Sequence, residues 1–178
     1  MAQHGIHYRG CSVKNSKSVG TPGKVIELGE DMGLFGPKRH TKSIGQQTEA
    51  AIITKLLEVG YNVLIPYLGE NLRYDLVIED ADGKFWRVQC KTGRIDDNQE
   101  YIEFNAASSY YHHRKGGTTW GKRTYHGQVE YFAVYCPDTR GVYFLPIEQV
   151  TTNKMRLRLS PTRNNQEKSV HWAKDYEL

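Results

Sequence analysis

The apolar residues of 46–59 fall in pairs, Ile52/Ile53 and Leu56/Leu57, at the three-to-four spacing of one helical face, and Gly60 supplies a stop. The spacing predicts a helix over 46–59. Glu49 stands four before Ile53 and seven before Leu56, which places it with Gln46 on the apolar face. From residue 61 the period changes. Tyr61-Asn62-Val63-Leu64-Ile65-Pro66 reads as a strand ended by its proline. Two runs rich in β-branched and aromatic residues follow, Arg73-Tyr74-Asp75-Leu76-Val77-Ile78 and Phe85-Trp86-Arg87-Val88-Gln89-Cys90-Lys91. Asp80-Ala81-Asp82-Gly83 between them is turn chemistry, so the two runs are expected to pair as a β-hairpin. Further strands are expected at 101–104, at 129–136 and at 142–145, with a short helix opening near 148–150 and a short strand at 156–159. The order predicts an α/β (α+β) chain built on a mixed sheet with helices. Residues 1–44 are Gly-rich, with scattered Lys and Arg and little periodicity. They are expected to form an irregular arm or leader, and 45–178 the folded domain.

Composition narrows the class. The chain has 178 residues, enough for one domain with a real core, and 38% of them are hydrophobic. A mean hydropathy of −0.65 reads as a soluble, rather polar protein. No run approaches the ~20 apolar residues of a membrane span. The N-terminus lacks the apolar core of a signal peptide. Cys11, Cys90 and Cys136 are odd in number and widely spaced, which argues against a disulfide framework or zinc site and suits a reducing cytoplasm. A net charge of +4 is mildly suited to a polyanionic partner.

The hairpin carries the candidate chemistry. Gln89 and Lys91 are two apart, so both project from one face of their strand, and pairing brings them near Asp75. An acid, an amide oxygen and an ammonium converging on one face is what metal-assisted phosphodiester hydrolysis requires. A carboxylate at Glu49 aimed toward the sheet costs desolvation unless it meets a cation, a metal or donors. The plainer alternatives are a turn-capping Asp75, a snorkelling Lys91 and a Glu49 that serves only the helix dipole.

Glu49 on its helix, Asp75, and Gln89-Cys90-Lys91 together resemble the PD-(D/E)XK nucleases. Gln89 departs from the usual pattern, which has Glu or Asp there. The group I intron-encoded homing endonucleases of this fold are one branch that uses Gln. The order of elements over 45–146 is similar to that branch, as are Tyr125-His126-Gly127 before a hydrophobic strand and the strand Val142-Tyr143-Phe144-Leu145-Pro146. The resemblance implies a restriction-endonuclease-like mixed β-sheet flanked by helices. It also implies Mg²⁺, with Mn²⁺ as a substitute, held by Asp75, the Gln89 amide oxygen and the backbone carbonyl of Cys90. Glu49 would bind the ion through water or hold a second one. Lys91 would orient or help deprotonate the attacking water and stabilise developing charge. Gln in place of Glu removes one negative charge and weakens metal binding.

The segment 105–128 contains no acidic residue. It carries Arg114, Lys115, Lys122 and Arg123, with Tyr110, Tyr111, Trp120 and Tyr125 interleaved and Gly116-Gly117 in its middle. Cations with aromatic and hydroxyl groups suit phosphate positioning and groove approach; the alternative is a solvated loop. Trp120 and Tyr125 are candidates for base edges, and Arg94, leaving the active strand, for the scissile phosphate. Lys154, Arg156, Arg158 and Arg163 are expected to form a second patch. His112-His113 has no further partner at ligand spacing and is weak evidence for a metal.

The reading is a metal-dependent endonuclease acting on double-stranded DNA, similar to a site-specific homing endonuclease. Cutting both strands needs two sites, hence a homodimer or homotetramer. A Holliday junction resolvase-like nuclease and a DNA-binding module without catalysis, which Gln89 would favour, are the alternatives.

Overall fold

The computed structural model describes residues 40–69, 71–162 and 167–178, so the expected arm lies outside the described residues except at its end. There the boundary moves. The helix α1 spans Thr41–Glu58, beginning ahead of the predicted residue 46. Its first turns carry no apolar stripe, so periodicity could not reveal them. The cap is unusual too: His40 accepts the Lys42 N–H through Nδ1 at 3.3 Å. The far end is conventional. Gly60 adopts φ 95°, its N–H reaches the Leu57 carbonyl at 3.1 Å, and Tyr61 N–H reaches that of Leu56 at 3.0 Å, a Schellman closure. The buried stripe is Thr48, Ile52 and Leu56. Glu49 therefore lies beside this stripe, largely exposed and only partly desolvated, rather than on the buried face that the spacing suggests.

Ten strands follow among the described residues: β1 Asn62–Leu64, β2 Leu76–Glu79, β3 Phe85–Thr92, β4 Arg94–Ile95, β5 Tyr101–Asn105, β6 Ser108–Arg114, β7 Gly117–Arg123, β8 Tyr131–Cys136, β9 Gly141–Pro146 and β10 Lys154–Arg158. The main sheet is mixed, in the order β1-β2-β3-β8-β9, with β3 and β8 parallel and the other neighbours antiparallel. The short helix expected near 148–150 is a single 3-10 turn, Ile147–Gln149, after β9. The predicted hairpin forms around its acidic turn. Asp80 accepts the N–H groups of Asp82 and Lys84 at 3.0 and 2.9 Å and the Trp86 indole at 2.7 Å, while Gly83 takes φ 76°. Those contacts hold the Asp80 carboxyl below its usual range, the Trp86 bond contributing most.

The main sheet is covered on both faces. Ile52 and Leu56 of α1 pack with Leu76, Ile78, Val88, Cys90, Ala133 and Val142. On the other face, Phe132, Val134, Tyr143 and Leu145 meet Ile102, Phe104, Met155 and Leu157 from the antiparallel sheet β10-β5-β4. The alternation Phe132, Ala133, Val134 along β8 sends successive side chains to opposite clusters. The chain crosses from the first sheet to the second at Gly93. A Cβ there would lie 2.7 Å from Ile102 Cγ2 and 3.1 Å from Val134 Cγ1, so the crossing needs glycine for close approach.

The acid-free segment is neither loop nor core. Strands β6 and β7 pair as an isolated ribbon, from Ser108↔Arg123 to Arg114↔Gly117, turning at Lys115-Gly116. No residue of 107–124 belongs to either core cluster. Opposed residues share a face. One face therefore carries Tyr110, His112, Arg114, Thr119 and Arg123, and the other Tyr111, Trp120, His113, Thr118 and Lys122. Among the described residues no helix is long and apolar enough to cross a membrane.

Candidate active site

Asp75 sits where the β2–β3 ladder ends. Its N–H still reaches the Val88 carbonyl at 2.9 Å, but beyond that its side chain replaces backbone as the partner. Oδ2 accepts the Cys90 N–H at 2.7 Å and the Gln89 amide Nε2. The same Nε2 lies 3.4 Å from the Cys90 carbonyl oxygen. A partly positive amide thus sits between two oxygens that the resemblance assigns to a cation. Burial raises the Asp75 carboxyl above its ordinary range, against the opposing pull of the Cys90 N–H, the Lys91 ammonium and the Gln89 amide. Glu49 joins the site from α1. Partial burial and the negative charge of Asp75 raise its carboxyl as well. The Cys90 thiol, buried beside both carboxylates, is pushed well above its usual value, so this cysteine is inert as a nucleophile.

Two mutually repelling, partly desolvated carboxylates, an amide oxygen and a backbone carbonyl are all hard oxygen donors, which fits Mg²⁺ or Mn²⁺ rather than a thiophilic metal. Among the described residues no group of three or more His, Cys, Asp or Glu side chains gathers to hold a metal. The candidate set does not depend on one, because half of its donors are amide and main-chain oxygens. It would require the Gln89 amide to present Oε1 where Nε2 now stands.

Lys91 shares the face of Gln89, in keeping with its spacing, and its ammonium is near enough to Asp75 to lower that carboxyl. It donates to the Tyr125 hydroxyl at 3.1 Å. The structure corrects the placing of Tyr125 on the nucleic-acid surface. The ring is buried, edge-on to Phe132 with ring centres 5.4 Å apart, and cannot reach a base edge. Arg73 completes this corner. Its guanidinium lies 4.0 Å from the Tyr125 ring centre and donates to Gln128 Oε1, Ser108 Oγ and the Thr124 carbonyl at 2.6, 2.7 and 3.1 Å. The sequence pattern assigns Arg73 no role. Its only signal is its place two before Asp75, since its partners are far along the chain.

The remaining surface candidates separate clearly. Arg94, Arg114, Lys115, Trp120, Lys122 and Arg123 are all exposed. Tyr111 and Trp120 face each other across the ribbon and are 66% and 64% exposed, so both rings are open to a partner. The second basic patch is different. Lys154 and Arg156 are bound to Glu103 at 2.6 and 3.0 Å, and Arg158 to Glu100 at 3.2 Å; Arg163 lies outside the described residues. These three cations are already paired with two carboxylates, Lys154 and Arg156 sharing Glu103. His113 Nδ1 is engaged with Thr118 Oγ1 at 2.9 Å.

Comparison with known proteins bears on the fold and the family. The structure is similar to that of a bacterial homing endonuclease, I-Ssp6803I, with a TM-score of 0.61 and 21% identity over 78% of this chain and 89% of that one. At that identity the likeness speaks to the fold. No curated protein sequence matches the chain. The profile of the PD-(D/E)XK endonucleases matches residues 39–178, which takes in the helix, both sheets, the ribbon and the hairpin site, and the chain belongs to that family.

Proposed function

We propose that this PD-(D/E)XK family member is a divalent-metal-dependent endonuclease that cuts double-stranded DNA at a specific site, with Mg²⁺ as its ion and Mn²⁺ as a substitute. The observation that carries the reading is the cluster at the end of the hairpin, where the Asp75 carboxylate, the Gln89 amide, the Cys90 carbonyl and the Lys91 ammonium meet. A bound divalent cation would supply charge neutralisation on the phosphoryl oxygens and an acidified water. Asp75, the Cys90 carbonyl and Gln89 through Oε1 would hold it, with Glu49 reaching it through water. Lys91 would orient the attacking water and offset negative charge on the phosphorane-like transition state. The ribbon would place the duplex. A major groove about 12 Å wide accepts a two-stranded ribbon, and Arg114, Lys115, Lys122 and Arg123 are set for phosphates along it. Trp120 would contact sugar or base edges, and Arg94 the phosphate near the cut. Double-strand cleavage would use two copies, in a homodimer or homotetramer. The apolar Ile65, Tyr67 and Leu68, exposed just past the edge strand β1, are in keeping with such association.

A second reading has one specific observation behind it. Gln89 Nε2 already satisfies Asp75 and the Cys90 carbonyl, so the protein could bind DNA without hydrolysing it. Nicking of supercoiled plasmid in Mg²⁺, then Mn²⁺, separates the two. The nuclease reading expects metal-dependent cleavage that Asp75→Ala reduces on the order of 10³-fold while DNA affinity persists. Duplex binding with no cleavage in either metal, and cleavage gained by Gln89→Glu, would instead establish the binding module.

A further inference from the structure

On the nuclease reading Lys91 has to point at the attacking water and the phosphoryl group, and a lysine on a strand has four rotatable bonds with which to point elsewhere. Here its direction is fixed. The ammonium donates to the Tyr125 hydroxyl at 3.1 Å and stands 4.7 Å from the ring centre. The ring in turn cannot swing. It is buried, edge-on to Phe132, and covered by the Arg73 guanidinium 4.0 Å from its centre. Arg73 also grips the chain around Tyr125, at the Thr124 carbonyl before it and the Gln128 side chain after it. The backbone turns sharply between those points: Gly127 takes φ 72°, and Gln128 N–H returns to the Tyr125 carbonyl at 2.9 Å. A third bond from Arg73 reaches Ser108, the first residue of the ribbon, opposite Arg123 at its end.

We infer that Tyr125 is a positioning residue for Lys91, and that Arg73 fixes it by tying together the base of the β6–β7 ribbon and the strand start that carries Asp75. The inference rests on the nuclease reading above and extends it. Tyr125 is buried and is not one of the proposed metal ligands; it acts by aiming the ammonium that does the work. Arg73 makes the DNA-binding ribbon and the reacting lysine one mechanical unit, so a duplex held on the ribbon meets Lys91 in a fixed direction. Two cations beside one ring repel each other, the more so where water is excluded. They are compatible here because the ring face and the hydroxyl oxygen give each its own acceptor.

Tyr125→Phe tests this directly, because it removes only the hydroxyl and keeps the ring against Phe132 and Arg73. Cleavage of supercoiled plasmid in Mg²⁺ is followed as kcat and KM separately, with plasmid affinity measured in Ca²⁺ and thermal unfolding measured without DNA. The expected result is a kcat lowered about 10- to 100-fold, the cost of a misdirected catalytic group, with KM, affinity and melting temperature unchanged. Arg73→Met is expected to lower kcat and DNA affinity together, since it also frees the ribbon. An active wild type with an equally active Tyr125→Phe overturns the inference and leaves the nuclease reading standing. A joint fall of kcat, affinity and melting temperature in Tyr125→Phe overturns it too, by reducing Tyr125 to a packing residue. A wild type that cleaves nothing in Mg²⁺ or Mn²⁺ overturns both.

Discussion

At the scale of residues, the site holds together at the expense of charge. Asp75 and Glu49 are carboxylates whose folded environment raises their pKa, through burial first and, for Glu49, through repulsion by Asp75. A raised value means that the folded chain binds protons more tightly than the unfolded one. Stability without metal therefore falls as pH climbs from the ordinary carboxylate range through the folded values, and stays low above them. Asp75→Asn keeps an oxygen for the Cys90 N–H while removing the charge. In metal-free buffer it should melt above wild type at neutral pH, and the gain should vanish once pH drops below the ordinary carboxylate range. Added Mg²⁺ should raise the wild-type melting temperature and leave that of Asp75→Asn unchanged. A variant no more stable than wild type at neutral pH would mean that Asp75 is already compensated. This much of the site is legible in the sequence because it depends on strand geometry a few residues long. Spacing puts Gln89 and Lys91 on one face, and the turn at 80–83 brings Asp75 to them. Tyr125 is not legible. The same residue type between basic neighbours reads as surface, and its ring is turned inward by Phe132, seven residues on, and by Arg73 and Lys91, both distant in sequence.

The elements show where periodicity carries information. The hairpin, β5, β8 and β9 stand close to their predicted places because one or both faces of each meet a core. The ribbon reads in the sequence only as a polar segment because neither of its faces is buried, so no apolar alternation marks its strands. The start of α1 is silent for a similar reason, lying ahead of the first buried position at Thr48. The connection from β3 to β4 makes a demand of its own. Gly93 follows Lys91 by two, and its N–H is bound to the Tyr135 carbonyl at 2.8 Å, so the backbone cannot retreat from Ile102 and Val134. Gly93→Ala should destabilise by about 1–3 kcal/mol, the usual cost of an added methyl in a packed core. Chemical denaturation measures it, with an unchanged m-value expected. A neutral result would show that Ile102 Cγ2 moves aside without strain.

At the scale of the whole molecule, folding and the proposed DNA binding fall to different parts. Both core clusters close without any residue of 107–124, while most of the exposed cations proposed for DNA sit on that ribbon. The ribbon is anchored at its base, where Arg73 holds Ser108 and the Thr124 carbonyl, and it projects beyond that point. A chain in which 110–121 are replaced by a two-residue Asn-Gly turn, closing the strands near Ser109 and Lys122, should therefore fold with near-normal stability and keep its metal-dependent melting shift. DNA affinity should fall steeply in the same protein. The salt dependence identifies the cause. Every cation taken away from a phosphate lowers the slope of log affinity against log salt by about one unit. The intact ribbon with Arg114, Lys115, Lys122 and Arg123 all changed to Gln should thus lose up to about four units, on every duplex sequence alike. The truncated chain, which also lacks Trp120, should in addition lose discrimination between sequences. An unchanged slope in the four-fold variant would move the duplex to another face and leave the ribbon free for a different partner. An unfolded truncation would show that the strands of the ribbon beyond its base support the core, and would overturn this division of labour.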